Sequence, residues 1–207
     1  MAQPDDEFLI KNYRYFQEWH HWHDKAVSLR KQATALYNAS LPELRLFQKA
    51  RRRAERALRK KPVVAIEYPH PDLLPTFSLY GASLENLFKG VIICKDPSLI
   101  NERALSGDLK SHKLVELASA AGLSLSERER RVLEWLTEVV IWKARYSVPT
   151  GVKFAGHFFH PLDDVTLDSA RKCKKIVDDV FKRAKKAMPR RVRQIKFDAL
   201  VRLDDES

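Results

Sequence analysis

Residues 6–38 contain neither proline nor glycine, and this constrains the fold more than any other feature of the sequence. Apolar groups recur through the stretch at Phe8, Tyr15, Trp19, Trp22, Ala26, Leu29, Ala33 and Leu36. From Tyr15 onward the steps alternate between four and three residues, the spacing of a helix seam that packs on a partner helix. A second stripe through Tyr13, Phe16 and Val27 predicts packing on two sides of its first half. Glycine is scarce, 6 in 207 residues, so few turns with positive φ can be built and long helices are favoured over a many-stranded sheet. The expected fold class is all-α.

Ser40 reads as an N-cap and Pro42 as a first-turn residue, which predicts a second helix from there to residue 61. One side of it carries Phe47, Ala50, Ala54, Ala57 and Leu58. The other carries Arg45, Lys49, Arg51, Arg52, Arg53, Arg56, Arg59, Lys60 and Lys61. Residues 1–61 are therefore expected to form an antiparallel helical hairpin with one strongly basic arm. Pro62, Pro69, Pro71 and Pro75 mark residues 62–76 as a connector. A short strand over 63–68 can pair with another over 192–197, in the basic tail of 189–207.

Residues 77–188 read as an up-and-down four-helix bundle. A helix over 77–95 places Tyr80, Leu84, Leu87, Phe88, Val91 and Ile92 on one face and ends at Asp96-Pro97. Ser111 is the expected cap of a short helix that stops near Gly122. Ser126, with Glu127 and Glu129 in the first turn, opens a helix expected to run through Tyr146. Leu133, Trp135, Val140, Ile141 and Trp142 leave little of that helix polar and predict a central position. The last helix, over 164–187, turns Ala170, Cys173, Ile176, Val177, Val180, Phe181 and Ala184 inward and a row of lysines outward.

The formal net charge is +11 and the pI about 9.7, a surplus that attracts RNA or another polyanion, or else keeps helix surfaces solvated. Arg51, Arg52, Arg53, Arg56, Arg59 and Lys60 are the candidate nucleic-acid contacts. Without a base-reading motif, binding there is expected to be salt-sensitive and non-specific. Cys94 and Cys173 lie within amphipathic helical patterns, far apart and without metal-ligand spacing, as buried thiols of a reducing compartment do. The acidic start over residues 1–7 does not resemble a signal peptide, and no apolar run is long enough to span a bilayer. These features predict a cytoplasmic protein that does not enter membranes. His20, His21 and His23 stand beside Asp24, but no third ligand is evident, so histidines filling a helix seam are preferred over a metal site. No phosphate-binding glycine loop, Gly-x-Ser-x-Gly elbow, Cys-x-x-Cys pair or His-Glu-x-x-His is present, and no cofactor is expected.

Three short motifs resemble HEPN-like domains, the small helical bundles of prokaryotic toxin–antitoxin, phage-defence and RNA-processing systems. Ser83-Leu84-Glu85-Asn86-Leu87-Phe88-Lys89 sets Glu85 and Lys89 four apart on the first bundle helix. Lys110-Ser111-His112-Lys113-Leu114-Val115-Glu116-Leu117 resembles the family's Gly-His-x-Leu helix start, and Ala144-Arg145-Tyr146-Ser147-Val148-Pro149 its Arg-Tyr-Pro closing. The resemblance covers residues 80–146 and implies a ligand site among Glu85, Lys89, His112, Arg145 and Tyr146. Each also has a plainer role. Glu85–Lys89 is an ordinary i,i+4 ion pair, His112 belongs to a helical first turn, and Arg145 complements a helix C-terminus.

Ribonuclease members carry an Arg, four to six residues, then a His that assists attack of the ribose 2′-hydroxyl. After Arg145 the next histidines are His157 and His160, beyond that spacing. The expectation is therefore a non-catalytic module for RNA or a partner protein, in defence or stress response. One alternative is a metal-independent ribonuclease using Arg145 with His157 or His160. The other is a scaffold that dimerises through the seam of Trp19 and Trp22.

Overall fold

Small side chains decide how the first helix docks. The computed structural model describes residues 18–58, 72–100, 106–143 and 166–188. Helix α1, Trp19–Leu58, is 40 residues long, about 60 Å at 1.5 Å per residue. Ala26 and Ala33 are fully buried along it and let the next helix approach closely, while Tyr37 and Leu44 complete the buried stripe. Leu36 and Val27, both expected inside, are exposed.

Helix α1 runs straight past Pro42, against the expectation of a break at Ser40. Proline removes one backbone donor from the helix. Packing outweighs that loss: Leu44, two residues beyond the proline, is buried in the core. The described residues 18–58 therefore do not fold back on themselves at Ser40. The antiparallel partner of α1 is α2, Leu74–Lys95. Three pairs give the direction. The Lys89 ammonium lies over the Trp22 ring, Ser83 donates to the Ala26 carbonyl at 3.0 Å, and the Thr34 and Tyr80 hydroxyls are 3.1 Å apart.

Helix α2 begins inside the expected connector because Pro75 suits a first turn and the Asp72 carboxylate accepts from the Leu74 N–H at 2.9 Å. It is buried on almost every side and is central among the described residues, in contact with each of the longer helices. Asp96 stops it and accepts from the Ser98 N–H of a 3-10 turn, Pro97–Leu99. Helix α3, Leu114–Ala120, starts from Lys113 rather than from a serine cap. Ser111 accepts instead from the Lys113 N–H, and the free Leu114 N–H donates to Thr137 of the next helix at 3.0 Å. Gly122, at φ 77°, lets the chain leave α3, a conformation that side-chain-bearing residues rarely adopt.

Helix α4, Glu127–Glu138, opens with a reciprocal capping box between Ser126 and Glu129. It continues as a wider π-helical turn, Val139–Lys143. Its expected central position is not observed: Arg131, Glu134 and Ile141 face solvent while Leu133, Trp135 and Leu136 are buried. Gly81 of α2 receives this turn, since a Cβ there would lie 2.5 Å from Val140 Cγ2. Helix α5, Leu167–Lys186, is capped by Thr166 and buries Ala170, Cys173, Val177, Val180, Phe181 and Ala184 as its periodicity predicts. Burial pushes the Cys173 thiol up to about 12.

Among the described residues there is no strand, and no helix is long and apolar enough to cross a membrane. The pairing expected between 63–68 and 192–197 lies outside them, as does the tail of 189–207.

Candidate functional site

Glu85, Lys89 and His112 come together where α2 meets the segment leading into α3. The helix pitch stacks Glu85 under Lys89, and Lys89 Nζ donates to Glu85 Oε1 at 2.7 Å. Both residues are buried, at 8% and 5% exposure, so this is not the solvated surface pair that the spacing alone suggests. Two groups from elsewhere complete the arrangement. Trp22 of α1 covers the ammonium at 5.9 Å, within cation–π range. His112 Nδ1 lies 3.0 Å from the same Glu85 oxygen.

An ionised carboxylate only accepts, so His112 Nδ1 carries the proton and its Nε2 is left for other work. The His112 side chain is 56% exposed, although the Glu85 it meets is buried. A carboxylate that orients a histidine in this way is one part of a general base. Arg145 and Tyr146, expected beside this cluster, lie outside the described residues, as do His157 and His160.

The basic arm is the second feature. Leu44 is the last of α1's described residues to be buried, and residues 45–57 are all exposed or half-exposed. Arg52, Arg53 and Arg56 are exposed, while Arg51 donates to Glu55 at 3.1 Å. At 100° per residue, Arg45, Lys49, Arg52 and Arg56 fall within about 60° of one another around the helix. Glu55 is the one acidic residue of the segment from Arg45 to Leu58. Arg59 and Lys60 lie outside the described residues.

A third polar centre escapes sequence reasoning. Asp178 of α5 accepts from Arg30 of α1 at 2.7 Å on one oxygen and from Lys174 at 2.6 Å on the other. Burial raises the Asp178 pKa, but the hydrogen bonds and charges of Lys174 and Arg30 outweigh it and hold the carboxyl below its ordinary value. The Arg30 guanidinium also stacks on Phe181, 4.5 Å from the ring centroid. Only the i,i+4 step from Lys174 to Asp178 was available to signal this site, since Arg30 is 148 residues away from Asp178.

Among the described residues no cluster of His, Cys, Asp or Glu can hold a metal ion. His23 Nδ1 meets Asp24 at 3.1 Å, and the His20 and His21 rings lie 4.1 Å apart. Trp19 and Trp22 pack against the core of this chain. Comparison of the chain with protein-family models, curated proteins and solved structures finds no match.

Proposed function

We propose that the chain is an HEPN-like helical module that binds RNA without cleaving it, through the basic arm of α1. The resemblance of the Glu85–Lys89 and His112 motifs supports the family, with α2 to α5 as its up-and-down four-helix bundle. One observation carries the binding role: α1 continues past the buried Leu44 as a helix bearing Arg45, Lys49, Arg52 and Arg56 on one side. A helix face of that kind tracks phosphates at successive turns. The buried Glu85–Lys89 pair favours a structural role over catalysis, because each charge is neutralised inside the chain.

The test is retention of mixed single-stranded RNA by the full chain across a salt series. Four phosphate contacts give a slope of about −3 in log K against log salt. Substitution of Arg45, Arg52 and Arg56 by Gln is expected to flatten that slope and abolish retention at moderate salt. Undiminished retention by this variant, with its helicity intact, overturns the assignment of the arm.

A second reading, metal-independent ribonuclease, rests on the Glu85-held, half-exposed His112. RNA cleavage by the wild type that disappears in His112→Ala replaces the binding reading with this one.

A further inference from the structure

A groove of about 430 Å³ runs between α1 and α5, on a side of the molecule that the reading above does not use. Tyr37 and Leu41 of α1 line one wall. The other wall is α5, which contributes four cations, Arg171, Lys174, Lys175 and Lys182, against two carboxylates, Asp178 and Asp179. Each oxygen of Asp178 already accepts from a cation, one from Arg30 and the other from Lys174, so much of its charge is neutralised before the remaining cations are counted. Two other basic residues of α5 are paired, Lys172 with Asp168 and Arg183 with Glu129. Arg171, Lys175 and Lys182 have no carboxylate partner among the described residues, although Asp179 stands within a turn of the two lysines.

Tyr37 supplies the second, independent observation. Its hydroxyl is buried and finds no hydrogen-bond partner among the described residues, although the residue as a whole is only 4% exposed. A buried hydroxyl without a partner costs about 1–3 kcal/mol. Such a group calls for a partner from outside the chain, an ordered water or a bound ligand. The surroundings specify what that is. The Lys174 ammonium lies 5.7 Å from the Tyr37 ring centroid. Burial raises the Tyr37 pKa, while the nearby charges of Arg171 and Lys174 pull against that rise. The hydroxyl therefore keeps its proton near neutral pH and is a donor facing a positive field. An oxyanion matches both features.

We propose that this groove is a phosphate-binding site, in which Arg171, Lys175 and Lys182 hold the phosphate oxygens and the Tyr37 hydroxyl, enclosed in the unliganded protein, donates to one of them as the side chains over it part. Guanidinium and ammonium groups together with one neutral donor form a set suited to a phosphate with several free oxygens, such as a terminal phosphate or a pyrophosphate. The site is independent of the arm, but continuous with it: Leu41 is one helical turn before Arg45. A strand end seated in the groove would have its following phosphates directed along the arginine face.

Pyrophosphate titrated calorimetrically into the full chain tests the site without RNA. The wild type is expected to bind. Tyr37→Phe is expected to bind about tenfold more weakly, the loss of one hydrogen bond to a charged group. The triple substitution of Arg171, Lys175 and Lys182 by Ala is expected to lose binding, and the triple Gln variant of the arm to keep it. All these positions except Tyr37 face solvent, and thermal melts confirm that each variant is folded. Absence of pyrophosphate binding by the wild type, or equal binding by the α5 variant, overturns the proposal; an unchanged affinity in Tyr37→Phe removes the hydroxyl from it. Oligoribonucleotides of one sequence with 5′-phosphate or 5′-hydroxyl ends identify the source. Tighter retention of the phosphorylated form, erased in the α5 variant, assigns a nucleic-acid end. Equal retention alongside pyrophosphate binding assigns a free phosphate compound. Either result leaves the arm's own test standing, since that variant is read on RNA alone.

Discussion

Charged residues in this protein acquire different roles from nearly identical local patterns. Glu85–Lys89 and Lys174–Asp178 both span one helical turn, as do the exposed pairs Arg51–Glu55 and Arg131–Glu127. The exposed pairs contribute a few tenths of a kcal/mol each. The other two are enclosed by groups brought from other helices, and their removal is correspondingly costly. Replacement of Asp178 by Asn leaves Arg30 and Lys174 without an anion and is expected to destabilise the fold by about 1–3 kcal/mol at neutral pH. The folded-state pKa of Asp178 is lowered, so its contribution is present above the ordinary Asp value near ~4 and is lost as pH falls through the lowered value. The difference in stability between wild type and Asp178→Asn should hold from pH 7 to 5 and shrink below about pH 4. Denaturant melts at pH 7 and pH 3 measure this, and a gap of equal size at both would show that the carboxylate is not the stabilising species.

Helix packing depends on two glycines where side chains would not fit. At Gly90 of α2 a Cβ would lie 2.5 Å from Met188 Cε and 3.2 Å from Trp22 Cβ, with the Trp19 carbonyl at 3.3 Å. Glycine therefore brings the N-terminal end of α1 and the C-terminal end of α5 onto the same turn of α2. Alanine gains helix propensity of about 1 kcal/mol over glycine. The clash is with a flexible methionine tip on one side but a tryptophan Cβ and backbone on the other, and overpacking costs about 1–3 kcal/mol. Gly90→Ala is expected to be net destabilising by about 1 kcal/mol, with a lowered melting temperature and a changed tryptophan emission. An unchanged or raised melting temperature would show that α1 yields at this point.

Several element boundaries were legible in the sequence because they depend on local chemistry. Ser126 with Glu129, Gly122 after α3 and Asp96-Pro97 after α2 act within a few residues of themselves. The inward stripe of α5 was legible for the same reason. The passage through Pro42 was not, because Ser40 and Pro42 carry the local signature of a helix start and only the burial of Leu44 overrides it. The central place of α2 was equally hidden. Glu85 and Lys89 read as an ordinary i,i+4 pair until His112 and Trp22 are seen against them. Of the candidate site, the Glu85–Lys89 spacing was visible but its enclosure was not. The Tyr37 groove joins residues of two helices far apart in the chain, with no motif in either.

At the scale of the whole molecule, α1 belongs to two environments. Up to Leu44 it is a wall of the core; beyond, no described residue is buried and the helix relies on its own propensity. Isolated helical segments of this length are marginal in water. A single unbroken helix therefore carries a gradient of local stability from one end to the other. Amide hydrogens around Ala26 and Ala33 should exchange only with global opening, whereas those over residues 48–57 should exchange orders of magnitude faster. Hydrogen–deuterium exchange resolved by mass spectrometry measures the gradient, and uniform protection along α1 would refute it. The consequence is energetic as well as structural. Whatever neutralises the arginines beyond Leu44 also removes the repulsion between them, so binding and helix formation there draw on the same free energy. Occupancy would be recorded as slowed exchange in the distal turns while the buried turns remain unchanged.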